Sequence, residues 1–131
     1  MKQLLAMLVS LVISASALAE VPTTLTSELN GRSITYTYSG GRSYQVKFET
    51  EGVRYRYLSG KKPEKWWGPF PYQALVTDQG EYLASWFEKG YADYVTLLIN
   101  LNTRTLYGSA ILGGKNVHFQ RGQISNVASA G

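Results

Sequence analysis

The chain has 131 residues, with 13 Lys and Arg against 9 Asp and Glu, for a formal net charge of +4. It contains no Cys and one His, His118; this excludes cysteine nucleophiles, thiolate metal sites, disulfides and a histidine-rich zinc centre. The charge is modest and does not point to nucleic acid, while 10 Tyr and 3 Trp favour strands and often line ligand cavities.

The first segment reads as an export signal. Lys2 is the positive start, Leu4 to Ile13 is apolar, and Ala17-Leu18-Ala19 is a small-residue cleavage site. The apolar run is too short to span a bilayer as a helix. Residues 1–19 are therefore expected to be removed, leaving one domain over 20–131 in the periplasm or outside the cell. No Cys follows the cut to carry a lipid anchor, and no later segment reads as a membrane span, so stable membrane insertion is not expected.

Glu20 to Leu29 reads as an extended lead-in, with Pro22 discouraging helix. Strands are predicted over 32–38, 43–50, 53–59, 71–77, 81–88, 93–101, 104–112 and 115–121. The breakers between them, such as Gly40-Gly41, Glu51-Gly52, Gln79-Gly80 and Gly113-Gly114, are hairpin signals. Tyr44, Val46 and Phe48 alternate with polar residues, as do Val53, Tyr55 and Tyr57, and Val117 and Phe119. This is a period of two, not of 3.6. Residues 125–131 are small and polar and read as a frayed tail.

About eight strands joined by tight turns predict an all-β fold, a small antiparallel barrel, because closure removes exposed edges. Such a barrel has room for one small ligand. A two-sheet sandwich is the alternative architecture. The longest connection, Ser59 to Phe70, is basic and aromatic and reads as a loop or lid at the barrel mouth.

Two runs carry the candidate chemistry. In the first, Tyr36 and Tyr38 share one strand face, where two phenols could hold a carboxylate or carbonyl oxygen. In the second, Tyr82, Ala84, Trp86 and Glu88 share a face. A carboxyl group beside Trp86 could act as a general acid or base; the plainer reading is a strand end paired in water. Lys61, Lys62 and Lys65 with Trp66-Trp67 could receive an anionic aromatic ligand or anchor a partner protein; alternatively a Trp plugs one barrel end. Arg54 and Arg56 read as a solvated outer face and His118 as a surface histidine.

The ordered motifs ITYTYSGG, VRYRYLSG, KWWG, GEYLASWFE and NTRTLYG resemble those of the bacterial phenolic acid decarboxylases, and more broadly the MoaF-like domains of the calycin superfamily. The resemblance covers roughly 31–108 and implies a calycin or lipocalin-like β-barrel. It also implies catalytic roles for Glu88, Tyr36, Tyr38 and Lys65, with no cofactor. Together with the aromatic residues Tyr55, Trp66 and Trp86 these four make up the candidate ligand site, and no metal is expected. Lys65 stands where the family has arginine, and the segment after Glu88 departs from the family pattern. Three functions follow in order: an exported barrel that binds a small aromatic or anionic molecule, a cofactor-free decarboxylase of hydroxycinnamic acids, and a protein-binding module or inhibitor. A homodimer is compatible with each.

Overall fold

The computed structural model describes residues 24–60 and 65–129. The leader assigned to residues 1–19 lies outside the described residues, as do Lys61 and Lys62. The chain forms nine strands: β1 (Arg32–Tyr38), β2 (Ser43–Glu49), β3 (Gly52–Tyr57), β4 (Trp67–Phe70), β5 (Tyr72–Val76), β6 (Tyr82–Glu88), β7 (Asp93–Asn100), β8 (Thr105–Leu112) and β9 (Asn116–Ser129). All pairings are antiparallel, in one sheet of order β4-β3-β2-β1-β9-β8-β7-β6-β5.

This order is a meander curled on itself, with the first and last strands joined. The two sheet ends, β4 and β5, follow one another through Pro71. The barrel is therefore nearly closed, with one seam between β4 and β5. The lead-in covers the free edge of β5, because Leu25 bridges Leu75 and the Thr26 amide donates to the Ala74 carbonyl at 2.8 Å.

Two elements differ from the sequence expectation. The Ser59–Phe70 connection contains β4, a short strand pairing with β3 through Val53↔Phe70 and Tyr55↔Trp67. The segment expected to fray instead continues β9 to Ser129, pairing Asn126, Val127, Ala128 and Ser129 with β1. A shift in register between Thr35 and Tyr36 accommodates Ser125 as a bulge, and such bulges sharpen the local twist that barrel closure needs.

The pleat sends alternate side chains inward. One half of the interior is solid core: Leu29, Ile34, Phe48, Val53, Leu97, Ile99, Leu106 and Ile124 are all buried. Leu29, from the lead-in, packs within this cluster and closes that end. Glycine is required at Gly52, where φ is +142° and a Cβ would lie 2.4 Å from the Phe70 carbonyl oxygen. It lets β3 start directly against β4.

Candidate functional site

The other half of the barrel is hollow. A cavity of about 660 Å³ opens at the end where β1 and β6 finish, and its walls include Tyr36, Tyr38, Tyr44, Tyr55, Tyr57, Trp86 and Glu88. These are the inward positions of β1, β2, β3 and β6, so the same alternation that builds the core supplies the site.

The tyrosines form a continuous wall of tilted and edge-to-face rings. Tyr36 and Tyr38 lie 5.1 Å apart between ring centres, Tyr38 and Tyr44 5.6 Å, and Tyr44 and Tyr57 5.0 Å. Such contacts fix the rings and leave their hydroxyls as the adjustable part of the surface. Burial raises the phenol pKa values of Tyr36, Tyr38, Tyr55 and Tyr57 above the ordinary range. At neutral pH these groups are protonated donors.

Glu88 is the one buried carboxylate among the described residues, 2 % exposed. The Tyr55 hydroxyl donates to its Oε1 at 2.7 Å, and Trp86 Nε1 donates to its Oε2 at 3.0 Å. Burial raises its pKa above the usual carboxylate range; the two hydrogen bonds oppose that rise, and the negative charge of Asp93 adds to it. Asp93 sits directly across from Glu88 in the β6–β7 register, and its own carboxylate is engaged by the Gly113 amide at 2.7 Å. The result is a carboxyl group that can hold a proton inside an aromatic cavity.

The wall facing the tyrosines is built from small residues. Gly108 and Ala110 line the cavity on β8. A Cβ at Gly108 would lie 2.6 Å from the Tyr38 hydroxyl, so the glycine is what lets that phenol reach across. At the mouth stand Arg42, His118 and Arg121; the two guanidinium groups give the entrance a positive lining above the Glu88 carboxyl.

Five of the candidate residues from the sequence, Tyr36, Tyr38, Tyr55, Trp86 and Glu88, meet in this cavity. Lys65 and Trp66 do not line it. Lys65 Nζ rests 3.8 Å from the Trp67 ring centre, while the Trp66 ring lies under Lys47 and Arg56, which belong to the outer face of β2 and β3. The cause is the register of β4: Trp67, not Trp66, is paired with Tyr55. Trp67 packs edge-on against Tyr91 at 5.2 Å, so neither tryptophan is a freely exposed anchor for a partner protein.

Sequence reasoning missed Tyr44, Tyr57, Asp93 and Arg42. The first two were legible, since they share strand faces with Val46 and Tyr55. His118 was placed on the surface, and Val117 and Phe119 on the opposite, apolar face. His118 is exposed, as expected, and stands at the cavity mouth opposite Ala110; the apolar alternates are exposed too, Val117 by 58 % and Phe119, which also borders the mouth, by 79 %. Alternation shows that a strand has two faces; it does not say which one the barrel encloses.

No protein-family model matches the chain, and no curated protein matches it. Solved structures do. The fold is similar to the crystal structure of a "putative beta-lactamase" from Burkholderia vietnamiensis, with a TM-score of 0.65 over 81% of this chain and 99% of that one. The two share 16% sequence identity, so the likeness is one of fold.

Proposed function

We infer that the protein is an exported barrel that binds a small aromatic molecule carrying an anionic or hydrogen-bonding group. The observation that carries this reading is the cavity of about 660 Å³ with its tyrosine wall and buried Glu88. The volume falls in the usual range for small-molecule sites, about 300–1,000 Å³. The rings offer stacking surface to a planar ligand, and the protonated phenols of Tyr36 and Tyr38 offer donors to its oxygen atoms. Arg42 and Arg121 at the mouth favour an anionic group over a cationic one.

One arrangement favours a second reading, a decarboxylase of hydroxycinnamic acids. Glu88, with its raised pKa, shares the cavity with the Tyr36–Tyr38 pair. The substrate carboxylate would accept from those phenols. With the ring hydroxyl deprotonated, Glu88 would protonate the alkene carbon that bears the carboxylate, giving a quinone-methide-like intermediate. Breaking the bond to the carboxylate then releases carbon dioxide and returns the electron pair through the alkene to the ring oxygen, which regains its proton, while one further proton taken up from solvent restores Glu88. This route needs no cofactor. Lys65 has no part in it, since it stacks on Trp67 away from the cavity.

The test is to add para-coumaric and ferulic acids to the processed chain and to its Glu88→Gln variant. Tryptophan fluorescence reports binding through Trp86, and substrate absorbance reports turnover. Saturable quenching without turnover supports the binding barrel. Turnover that is lost in the variant while quenching persists supports the decarboxylase. Neither signal removes this ligand class.

A further inference from the structure

The two ends of the barrel carry opposite charge. The described turns at the closed end contain Glu28, Glu51, Asp78 and Glu81 against Arg104. The described turns at the open end contain Arg42, Lys65, Lys89 and Lys115 and no acidic residue. The acids near the mouth, Glu88 and Asp93, belong to the cavity.

A second feature adjoins that basic end. Phe87, Tyr94, Ile111 and Val117 are successive cross-strand partners on β6, β7, β8 and β9, and so form one row on the outer face. Phe87 is 49 %, Tyr94 47 % and Val117 58 % exposed; Phe119, two residues from Val117 and also bordering the cavity mouth, is 79 % exposed. Lys89 and Lys115 lie in the two turns directly above it. Isolated exposed apolar residues are ordinary, but a contiguous row is not. The outer face of β2 and β3 is quite different: it carries the half-buried charges Lys47, Glu49, Arg54 and Arg56, with Arg54 paired to Glu49 at 2.8 Å and Lys47 and Arg56 over the Trp66 ring. A barrel with such charges on its wall does not match a spanning barrel, whose lipid face is apolar all round.

We propose that the open end, through the Phe87–Tyr94–Ile111–Val117 row and the lysines above it, seats the barrel peripherally on an anionic lipid surface. Aromatic rings beside lysines are the composition that interfacial anchors use, with the rings at headgroup depth and the cations against anionic lipid. Seated in this way, the mouth faces the bilayer, and an amphiphilic ligand can pass between lipid and cavity with little exposure to water.

The test is co-sedimentation of the chain starting at Glu20, which contains every described residue of the barrel, with phosphatidylcholine vesicles with and without phosphatidylglycerol. Binding should be strong only with phosphatidylglycerol and should weaken as salt shortens the screening length from about 8 Å toward about 3 Å. Lys89→Glu with Lys115→Glu, both at exposed turn positions, should lower partitioning by roughly tenfold or more. Phe87→Ser with Val117→Ser should lower it on the same vesicles, with circular dichroism unchanged. The salt series on the unaltered chain needs no variant to fold. Absence of binding, or equal binding to neutral and anionic vesicles, overturns the proposal. So does a stable dimer in sedimentation velocity that Phe87→Ser with Val117→Ser dissociates, which would assign the row to a second copy of the chain.

Discussion

The Tyr55 hydroxyl donates to Oε1 of Glu88 at 2.7 Å, and in doing so it ties two strands that share no backbone pairing. Tyr55 belongs to β3 and Glu88 to β6, on either side of the seam between β4 and β5. Tyr91 adds to this closure by packing against Trp67 and Phe70. The incomplete sheet is thus closed by side chains, and a principal tie is also the most distinctive group in the cavity.

Removing the tie with Tyr55→Phe should have two effects. Stability should fall by about 1.5–3 kcal/mol, the range for a hydrogen bond to a charged group. The Glu88 pKa should rise further, because the Tyr55 bond is the larger of the two contacts opposing the effect of burial. Chemical denaturation measures the first and carboxyl-carbon NMR titration the second. An unchanged Glu88 titration would mean that the hydroxyl does not hold this carboxylate in solution.

Glu88→Gln should alter the pH dependence of stability. A carboxyl whose folded pKa is raised keeps its proton longer in the folded state than in the unfolded one. Stability is then highest below the unfolded value of about 4.3 and declines as pH rises through the folded value. Glutamine has no such titration. Its amide oxygen can accept from Trp86 while its amide nitrogen donates to the Tyr55 oxygen. The variant should therefore match or exceed the parent in stability at neutral pH and lose that advantage in acid. Denaturant midpoints across the acid range decide this, and parallel curves for the two proteins would count against it.

Much of the architecture was legible because alternation and turns agree. Tyr44-Val46-Phe48 and Val53-Tyr55-Tyr57 mark inward faces, and glycine pairs mark hairpins. β4 was not legible, because Gly68 and Pro69 in a four-residue strand are breaker signals. The end of β9 was not legible either: Ser125 to Ser129 are small and polar, and they become strand only by meeting β1 from the far end of the sequence. The site followed the same divide. Glu88, Trp86 and the Tyr36–Tyr38 pair could be read from strand faces alone. Excluding Lys65 and Trp66 required the β3–β4 register, a tertiary fact.

Gly108→Ala should disturb the site more than the fold. Its Cβ would meet the Tyr38 hydroxyl at 2.6 Å and Leu97 Cδ2 at 3.3 Å, and overfilling of this kind costs typically about 1–3 kcal/mol. The hydroxyl is the tighter contact, so Tyr38→Phe in the same chain should restore most of the lost stability. Ligand quenching should remain weak in the double variant, because the phenol donor is gone. Thermal melts and fluorescence titrations of the two single variants and the double variant form the necessary cycle. Additive losses of stability would mean that Gly108 and Tyr38 do not compete for the same space.

Alkali should unfold the barrel through its tyrosines. Burial raises the pKa of Tyr36, Tyr38, Tyr55 and Tyr57 in the folded state, while the same residues in the unfolded chain ionise near pH 10. Above that pH the unfolded chain releases protons that the folded barrel retains, so stability declines as pH rises toward the folded values. Several phenols act together, and the decline should be steeper than one group alone could cause. Tyrosinate absorbance and far-ultraviolet circular dichroism followed over one alkaline titration test this. The buried phenols should ionise in the same step in which strand signal is lost. Ionisation of the whole tyrosine complement with the strand signal intact would show that the cavity wall is open to hydroxide and that burial does not hold these phenols protonated.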